Sequence, residues 1–301
     1  MKKIKGIIIA MMLVFVLYGC AEENQQQQPG ATFMGGTRGI DARFEQMGTV
    51  EGGIEYVWLG ETFPIDITVN NVGEEPIEAG DLKATIVGVD INQFNIAYEN
   101  MHNPNEIMPK TQFNPVGGME TISFGTGMLE ALTGQQFTAN FNARIEYPYK
   151  TYIAVPNVCF KEDHRDSSLC NHLGARTFSY SGAPVIVTSV TQEPYGANRI
   201  ALKFEIENRG PGRAAAYGEE FSELRDTVNF QLVEGHEPIE WTCSSMGNEQ
   251  FARLTNKRGT VLCRSDPLPE GTLYEKQLTL ELSYNYRETI QKSLTIRNEP
   301  N

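Results

Sequence analysis

Apolar and polar residues alternate with period two along most of the chain, which is typical of β-strands with one buried side and one solvent-facing side. Helical periodicity is nearly absent, and one short helix is predicted at 219–225. In the first half the alternation predicts strands at 40–44, 63–69, 82–89, 121–124, 137–147 and 151–159. In the second half it predicts strands at 185–190, 199–207, 227–233, 240–243, 260–263, 273–284 and 293–296.

The pattern repeats at an offset of 137 residues. One block aligns Ile65, Ile67, Val69, Asn71 and Gly73 with Leu202, Phe204, Ile206, Asn208 and Gly210. A second block, 134–150, aligns with 271–287 and places Tyr147 and Tyr149 on Tyr284 and Tyr286. Two separated blocks on one offset indicate a duplicated domain. We therefore predict an all-β fold of two tandem immunoglobulin-like β-sandwich domains, 34–176 and 177–301.

The N-terminus carries three lysines followed by 11 apolar residues, 7–17. This stretch is about half of the roughly 20 residues that span a bilayer, so 1–19 is interpreted as a cleaved signal peptide. The following Cys20 comes after Gly19, which resembles the lipobox of prokaryotic lipoproteins, although Tyr18 departs from it. The resemblance implies acylation of Cys20, with palmitate or a similar chain. An ordinary signal peptide or an uncleaved anchor is the alternative.

Residues 20–33 are rich in Glu and Gln and are expected to form a flexible tether after the lipidated cysteine. Removing 1–19 takes the formal net charge from −13 to −16, and no cluster of basic residues is present. Nucleic acid is therefore excluded as a partner, and anionic lipid heads would not attract the chain. The lipid would carry the attachment, on the extracytoplasmic face of the cell membrane.

Four cysteines remain after Cys20. An even number in an exported chain favours disulfides, and proximity favours Cys159 with Cys170 and Cys243 with Cys263 among three connectivities. The zinc alternative uses four ligands that could complete a tetrahedral site. They are Cys159, His164, Cys170 and His172. Oxidation of the two thiols is the preferred interpretation, so no metal and no cofactor are expected.

Catalytic motifs are absent: the chain has no G-x-S-x-G elbow, no H-E-x-x-H helix and no phosphate-binding loop. Acidic turn residues could offer oxygens to calcium, but no calcium loop supports this, and solvated carboxylates are the preferred interpretation. These residues are Glu74, Glu75, Asp81, Asp163 and Asp166. The glycine-rich stretch 117–127 is interpreted as a hairpin or a bulged strand.

The repeated tyrosines are interpreted as core residues, with an exposed stacking platform as the alternative. The longest irregular segment, 92–118, holds three prolines and, with 214–225, is the preferred partner-binding surface. A loop that only covers a sheet edge is the alternative.

Two strand ends, 69–80 and 206–216, resemble CARDB-type immunoglobulin-like domains of prokaryotic cell surfaces. The segment 35–45 with the paired cysteines is similar to uncharacterised archaeal lipoproteins. The first resemblance implies a spacer, adhesion unit or interaction module. Together with the signal, the repeat and the absent catalytic motifs, it predicts a membrane-anchored, non-catalytic module for binding, adhesion or spacing in the cell envelope, with other surface proteins as partners. A carbohydrate-active or metal-dependent surface hydrolase is the alternative, and a ligand-presenting transport lipoprotein is the third.

Overall fold

Alternation of inward and outward side chains builds almost the whole of this protein. A computed structural model describes residues 33–165, 170–171 and 173–298. These residues form 18 strands and no α-helix, which confirms the all-β prediction. The strands of the first half are β1 (Ile40–Phe44), β2 (Thr49–Glu51), β3 (Ile54–Trp58), β4 (Phe63–Asn71), β5 (Lys83–Val87), β6 (Asn100–His102), β7 (Met119–Gly127) and β8 (Gln136–Lys161). The predicted signal peptide, Cys20 and most of the tether lie outside the described residues.

The second half continues the series with shorter edge strands and a second long strand. Its strands are β9 (Gly174–Ala175), β10 (Ser179–Tyr180), β11 (Val185–Pro194), β12 (Ile200–Asn208), β13 (Arg213–Ala215), β14 (Arg225–Glu234), β15 (Trp241–Ser244), β16 (Phe251–Thr255), β17 (Arg258–Ser265) and β18 (Leu273–Arg297). Among the described residues, no helix is long and apolar enough to cross a membrane.

Two sheets contain these strands. A three-stranded sheet has the order β1-β4-β7, and a larger sheet follows the path β6-β5-β8-β18-β14-β16-β17-β12-β11-β9. Inward-facing residues of β4, such as Ile65 and Ile67, share one buried apolar cluster with Phe141 and Ile145 of β8. The result is a β-sandwich-like arrangement of packed sheets.

The two longest strands join the two halves. β18 pairs with β8 in antiparallel fashion along its whole length, from Leu273 opposite Lys161 to Arg297 opposite Gln136. All described residues belong to one compact unit. The ladder pairs a strand of 34–176 with a strand of 177–301. The division into these two domains therefore stays a prediction.

The structure also follows the repeat. β12 begins and ends 137 residues after β4, and β18 begins 137 residues after β8. At the middle of the β8–β18 ladder, Tyr147 lies opposite Tyr286 and Tyr149 lies opposite Tyr284. All four rings are almost completely buried, so the repeated tyrosines are core residues. The stacking-platform alternative is therefore wrong.

Several details of the predicted strands need correction. The two strands predicted at 137–147 and 151–159 are one strand, because the pairing with β18 continues on both sides of Pro148. The strands predicted at 273–284 and 293–296 likewise merge into β18. The glycine-rich stretch forms β7, and the register of the β4–β7 pair shifts between Pro64 and Asp66, as a bulged strand requires.

The helix predicted at 219–225 is wrong, since its first six residues have no regular structure and Arg225 begins β14. Side-chain contacts hold this segment in an irregular conformation instead. The Arg287 guanidinium lies 3.9 Å from the centre of the Phe221 ring, and the Arg213 guanidinium donates to the carbonyl of Glu223. Seven short strands of two to five residues were not predicted, because alternation over so few positions is a weak signal.

Candidate functional site

The long loop at 92–118, the preferred partner-binding surface, is an ordered part of the structure. Its side chain Asn103 is 2% exposed and satisfies backbone groups of the preceding turn. Asn103 Oδ1 accepts the N–H groups of Gly80 at 3.1 Å and Leu82 at 2.9 Å, and its Nδ2 donates to the Glu78 carbonyl at 2.8 Å. A buried amide with these partners fixes the loop at its base.

Beyond this base the loop displays large apolar side chains to solvent. Phe113 is 99% exposed, Met108 and Val116 are more than half exposed, and so is Met119 at the start of β7. We call this set the apolar tip; it consists of Met108, Phe113, Val116 and Met119. Single exposed apolar residues are ordinary, but four large ones within 108–119 are typical of a contact surface.

The backbone of the apolar tip is held by hydrogen bonds. Thr111 and Asn114 exchange two backbone bonds, at 2.9 and 3.1 Å, and form a closed turn that contains Phe113. The Lys110 N–H donates to the Gly73 carbonyl at 2.7 Å, which ties the turn to the end of β4. The exposure of Phe113 is therefore a property of an ordered turn.

The described chain begins beside this loop. The Glu74 carboxylate accepts the N–H groups of Met34 at 2.9 Å, Gly35 at 2.9 Å and Gly182 at 2.5 Å. Lys110 Nζ donates to the Gly35 carbonyl at 2.9 Å. The expectation that Glu74 is a solvated turn carboxylate is thus wrong, because its oxygens bind backbone N–H groups of the entering chain.

A second acidic residue of this turn is partly buried. Burial raises the pKa of Glu75 to about 7, while Lys150 lowers it and the Glu281 carboxylate raises it. Lys150 Nζ lies 3.5 Å from Glu281 Oε2. Glu75 therefore gains a proton more readily than an exposed carboxylate and is a poorer calcium ligand than the sequence suggested.

The remaining acidic candidates do not assemble into a metal site. Asp81 is exposed, and Asp163 pairs with Arg165 at 3.1 Å. Asp166 lies outside the described residues. Within the part of the chain that is described, no three His, Cys, Asp or Glu side chains are grouped so that they could hold a metal ion.

Both predicted disulfides are confirmed. Cys159 of β8 is bonded to Cys170 with their Cα atoms 5.8 Å apart, and Cys243 of β15 is bonded to Cys263 of β17. The sulfurs of Cys159 and Cys170 are therefore not thiolates, which removes two of the four ligands of the zinc alternative. Its ligand His164 lies in a turn after β8, and His172 lies outside the described residues.

That turn borders an open depression of about 750 Å³. Carboxylates and one imidazole line it, together with small polar residues: Glu162, Asp163, His164, Arg165, Ala197, Asn198 and Glu270. Hydrogen bonds between the Asp163 carboxylate and Arg165 lower the pKa of Asp163. This carboxyl therefore remains ionised and is not suited to act as an acid. The depression therefore brings three carboxylates and the His164 imidazole together.

The second predicted contact segment, 214–225, covers part of the central ladder. It exposes Leu224, which is 89% exposed, while Tyr217 is half-exposed. Burial raises the pKa of Tyr217, and the carboxylates of Glu75, Glu281 and Asp81 raise it further. The segment thus combines one apolar side chain in solvent with a phenol close to acidic residues of both halves.

Two of these features left no signal in the sequence. Glu74 aligns with Pro211 in the repeat, so no second copy marked it as structural. The buried Asn103 stands in a segment without alternation. The signal available for Asn103 was its polar, turn-forming neighbourhood, which is shared by many exposed residues.

Comparisons with known proteins add little. No protein-family model and no curated protein match this chain. Among solved structures it is similar to the secreted serine protease VesC from Vibrio cholerae, with 10% identity and a TM-score of 0.20. The match covers 82% of this chain and 50% of VesC, so the chain spans about half the length of that protein. A turret protein with a triple jelly roll fold from an archaeal virus has 8% identity and a TM-score of 0.13, covering 87% and 92% of the two chains. At these TM-scores neither likeness supports a function.

Proposed function

We propose that the protein is a lipid-anchored lipoprotein of the extracytoplasmic membrane face that binds a surface partner without catalysis. In this proposal 1–19 is a signal peptide, Cys20 carries the acyl chain, and the two halves are immunoglobulin-like domains of the CARDB type. The two disulfides support an oxidising compartment, since such bonds persist outside the cytoplasm.

The observation that carries the binding role is the ordered exposure of the apolar tip. Phe113 is almost completely exposed on a turn whose backbone is fixed by hydrogen bonds. A spacer gains nothing from an apolar side chain held in water, whereas a contact surface gains the burial of that side chain on binding.

The anchor is tested on protein purified from native membranes. Mass spectrometry of the N-terminal peptide should find acylated Cys20 as its first residue, and the Cys20→Ser variant should leave the membrane fraction. An unmodified Cys20 in a soluble fraction would exclude the proposal. Cross-linking and pull-down from the same membranes would then identify surface proteins that engage the 214–225 segment.

A surface hydrolase is the second candidate, and the depression beside His164 favours it, because it gathers carboxylates with an imidazole. A screen of glycoside and ester substrates tests it, with His164→Ala as the control. Turnover that His164→Ala abolishes would support the hydrolase. Turnover that survives the substitution would exclude the hydrolase, and so would the absence of any turnover.

A further inference from the structure

The place at which the chain enters the fold limits what the apolar tip can reach. Met34 and Gly35 are fixed by the Glu74 carboxylate, and Lys110 Nζ binds the Gly35 carbonyl directly. Lys110 is three residues before Phe113 and directly precedes the closed turn. The apolar tip and the start of the described chain are therefore neighbours.

The tether between Cys20 and this point is short. Its residues 20–33 can reach at most about 50 Å even when fully extended. An acyl chain at Cys20 would therefore keep the entry point, and the apolar tip next to it, close to the bilayer surface. The short tether gives the tip a high effective concentration at that surface.

The charges around the apolar tip indicate which kind of surface it suits. The ammonium group of Lys110, which precedes the turn, donates a hydrogen bond to the Gly35 carbonyl. Two acidic side chains lie in or directly after the same loop: Glu106 is exposed and Glu120 contacts Asn105. A contact through this loop therefore depends on apolar burial and gains nothing from anionic headgroups.

We propose that the apolar tip inserts into the bilayer that holds the acyl anchor, with Phe113 as its deepest side chain. The lipid bilayer is then the first partner of the long loop, and the tip fixes the orientation of the sandwich on the membrane. This inference rests on the proposed function, because it needs a bilayer anchored at Cys20.

The test uses the chain with its native acyl group, reconstituted into phosphatidylcholine vesicles whose acyl chains carry bromine, a quencher of tryptophan emission. Phe113→Trp places a probe at the apolar tip. Met246→Trp is the matched control, since Met246 is 93% exposed on a turn of the second half. The parent chain, with Trp58 and Trp241, supplies the background.

We expect the quenching added by F113W to be roughly threefold that added by M246W, because an interfacial side chain lies about 5–10 Å into the headgroup–acyl boundary. Raising the salt from about 0.05 to about 0.5 M should leave it unchanged, since the contact is apolar. Flotation of the vesicles checks the anchor separately.

Protein that floats with the vesicles without added quenching of F113W would overturn the inference and leave the anchor intact. Equal quenching of M246W would also overturn it, because the whole surface would then touch lipid. Protein that fails to float would exclude the proposed anchor and the inference together.

Discussion

The Tyr149 hydroxyl donates a hydrogen bond to Asn71 Oδ1 at 3.2 Å, and in the other half the Tyr286 hydroxyl donates to Asn208 Oδ1 at 3.3 Å. Each bond links the middle of a long strand, β8 or β18, to the end of the strand packed over it. The repeated tyrosines and asparagines of the sequence are therefore partners of one another, once in each half.

The same relationship explains the repeated glycines. The N–H of Gly73 donates to Asn71 Oδ1 at 3.2 Å, and that of Gly210 donates to Asn208 Oδ1 at 3.1 Å. A Cβ atom on Gly73 would lie 1.9 Å from the Tyr149 hydroxyl. The Asn-x-Gly pattern is thus required because the tyrosine hydroxyl occupies the space that a side chain would take.

Removal of either hydroxyl should destabilise the fold. Tyr149→Phe and Tyr286→Phe should each lower the free energy of unfolding by about 1–2 kcal/mol, because a buried acceptor loses one of its donors. Urea denaturation measures the change. Tyr98→Phe is the control, since Tyr98 is 58% exposed. A loss no larger than that of the control would show that the hydroxyl bonds contribute nothing.

The sequence predicted what depends on local alternation and repetition. The strand at 40–44 was placed at its observed bounds, and the 137-residue offset located the tyrosines that meet in the core. Alternation shows which face of a strand is buried but not which strand lies beside it. The pairing of β8 with β18 was missed for that reason.

For the candidate site, the sequence pointed to the long loop by its length and lack of alternation, but not to its internal order. Hydrogen bonds such as those of Asn103 connect residues that are more than 20 positions apart. The exposure of Phe113 was equally hidden, because apolar atoms supply more than half of a folded protein's accessible surface and an apolar residue is therefore not always buried.

The two disulfides should stabilise the protein to similar extents. Each closes a short loop, with sequence separations of 11 and 20 residues, and each should contribute on the order of 3 kcal/mol by restricting the unfolded chain. Replacement of Cys159 and Cys170 by alanine, or of Cys243 and Cys263, should lower the free energy of unfolding by that amount. Urea denaturation of each double variant, with and without reductant, measures it. Reductant should then break only the disulfide that remains in each variant. Urea midpoints equal to that of the parent chain in both variants would contradict the prediction.

Glu288 should make the protein less stable as the pH rises. Its Oε1 atom is buried and has no hydrogen-bond partner among the residues that the structure describes. Burial raises the pKa of Glu288 to about 7 from 4.5, with Arg38 opposing and Asp41 adding to the shift. Below pH 4.5 the carboxyl is protonated in both states, so its contribution to stability is complete.

Between pH 4.5 and 7 the unfolded chain loses this proton while the folded chain keeps it, so stability falls by up to about 3 kcal/mol and then levels off. Glu288→Gln should remove this part of the pH dependence, as measured by urea midpoints across that range. Glu75 keeps its own share in both proteins. The exposed Glu249→Gln serves as control, and equal slopes for both variants would exclude Glu288 as the source.

The Glu74 carboxylate should hold the entering chain in place. It accepts three backbone N–H groups, from Met34, Gly35 and Gly182, and glutamine would set an amide N–H₂ against at least one of these donors. Glu74→Gln should therefore weaken the attachment of this segment by about 1–3 kcal/mol. Trypsin should then cleave after Arg38 several times faster, because cleavage needs that segment to leave the fold.

The control is Glu78→Gln, whose side chain is exposed and whose backbone carbonyl still accepts from Asn103. Equal cleavage rates in the two variants would show that the entry of the chain is held by other contacts, of which the Lys110 bond to Gly35 is the first to test.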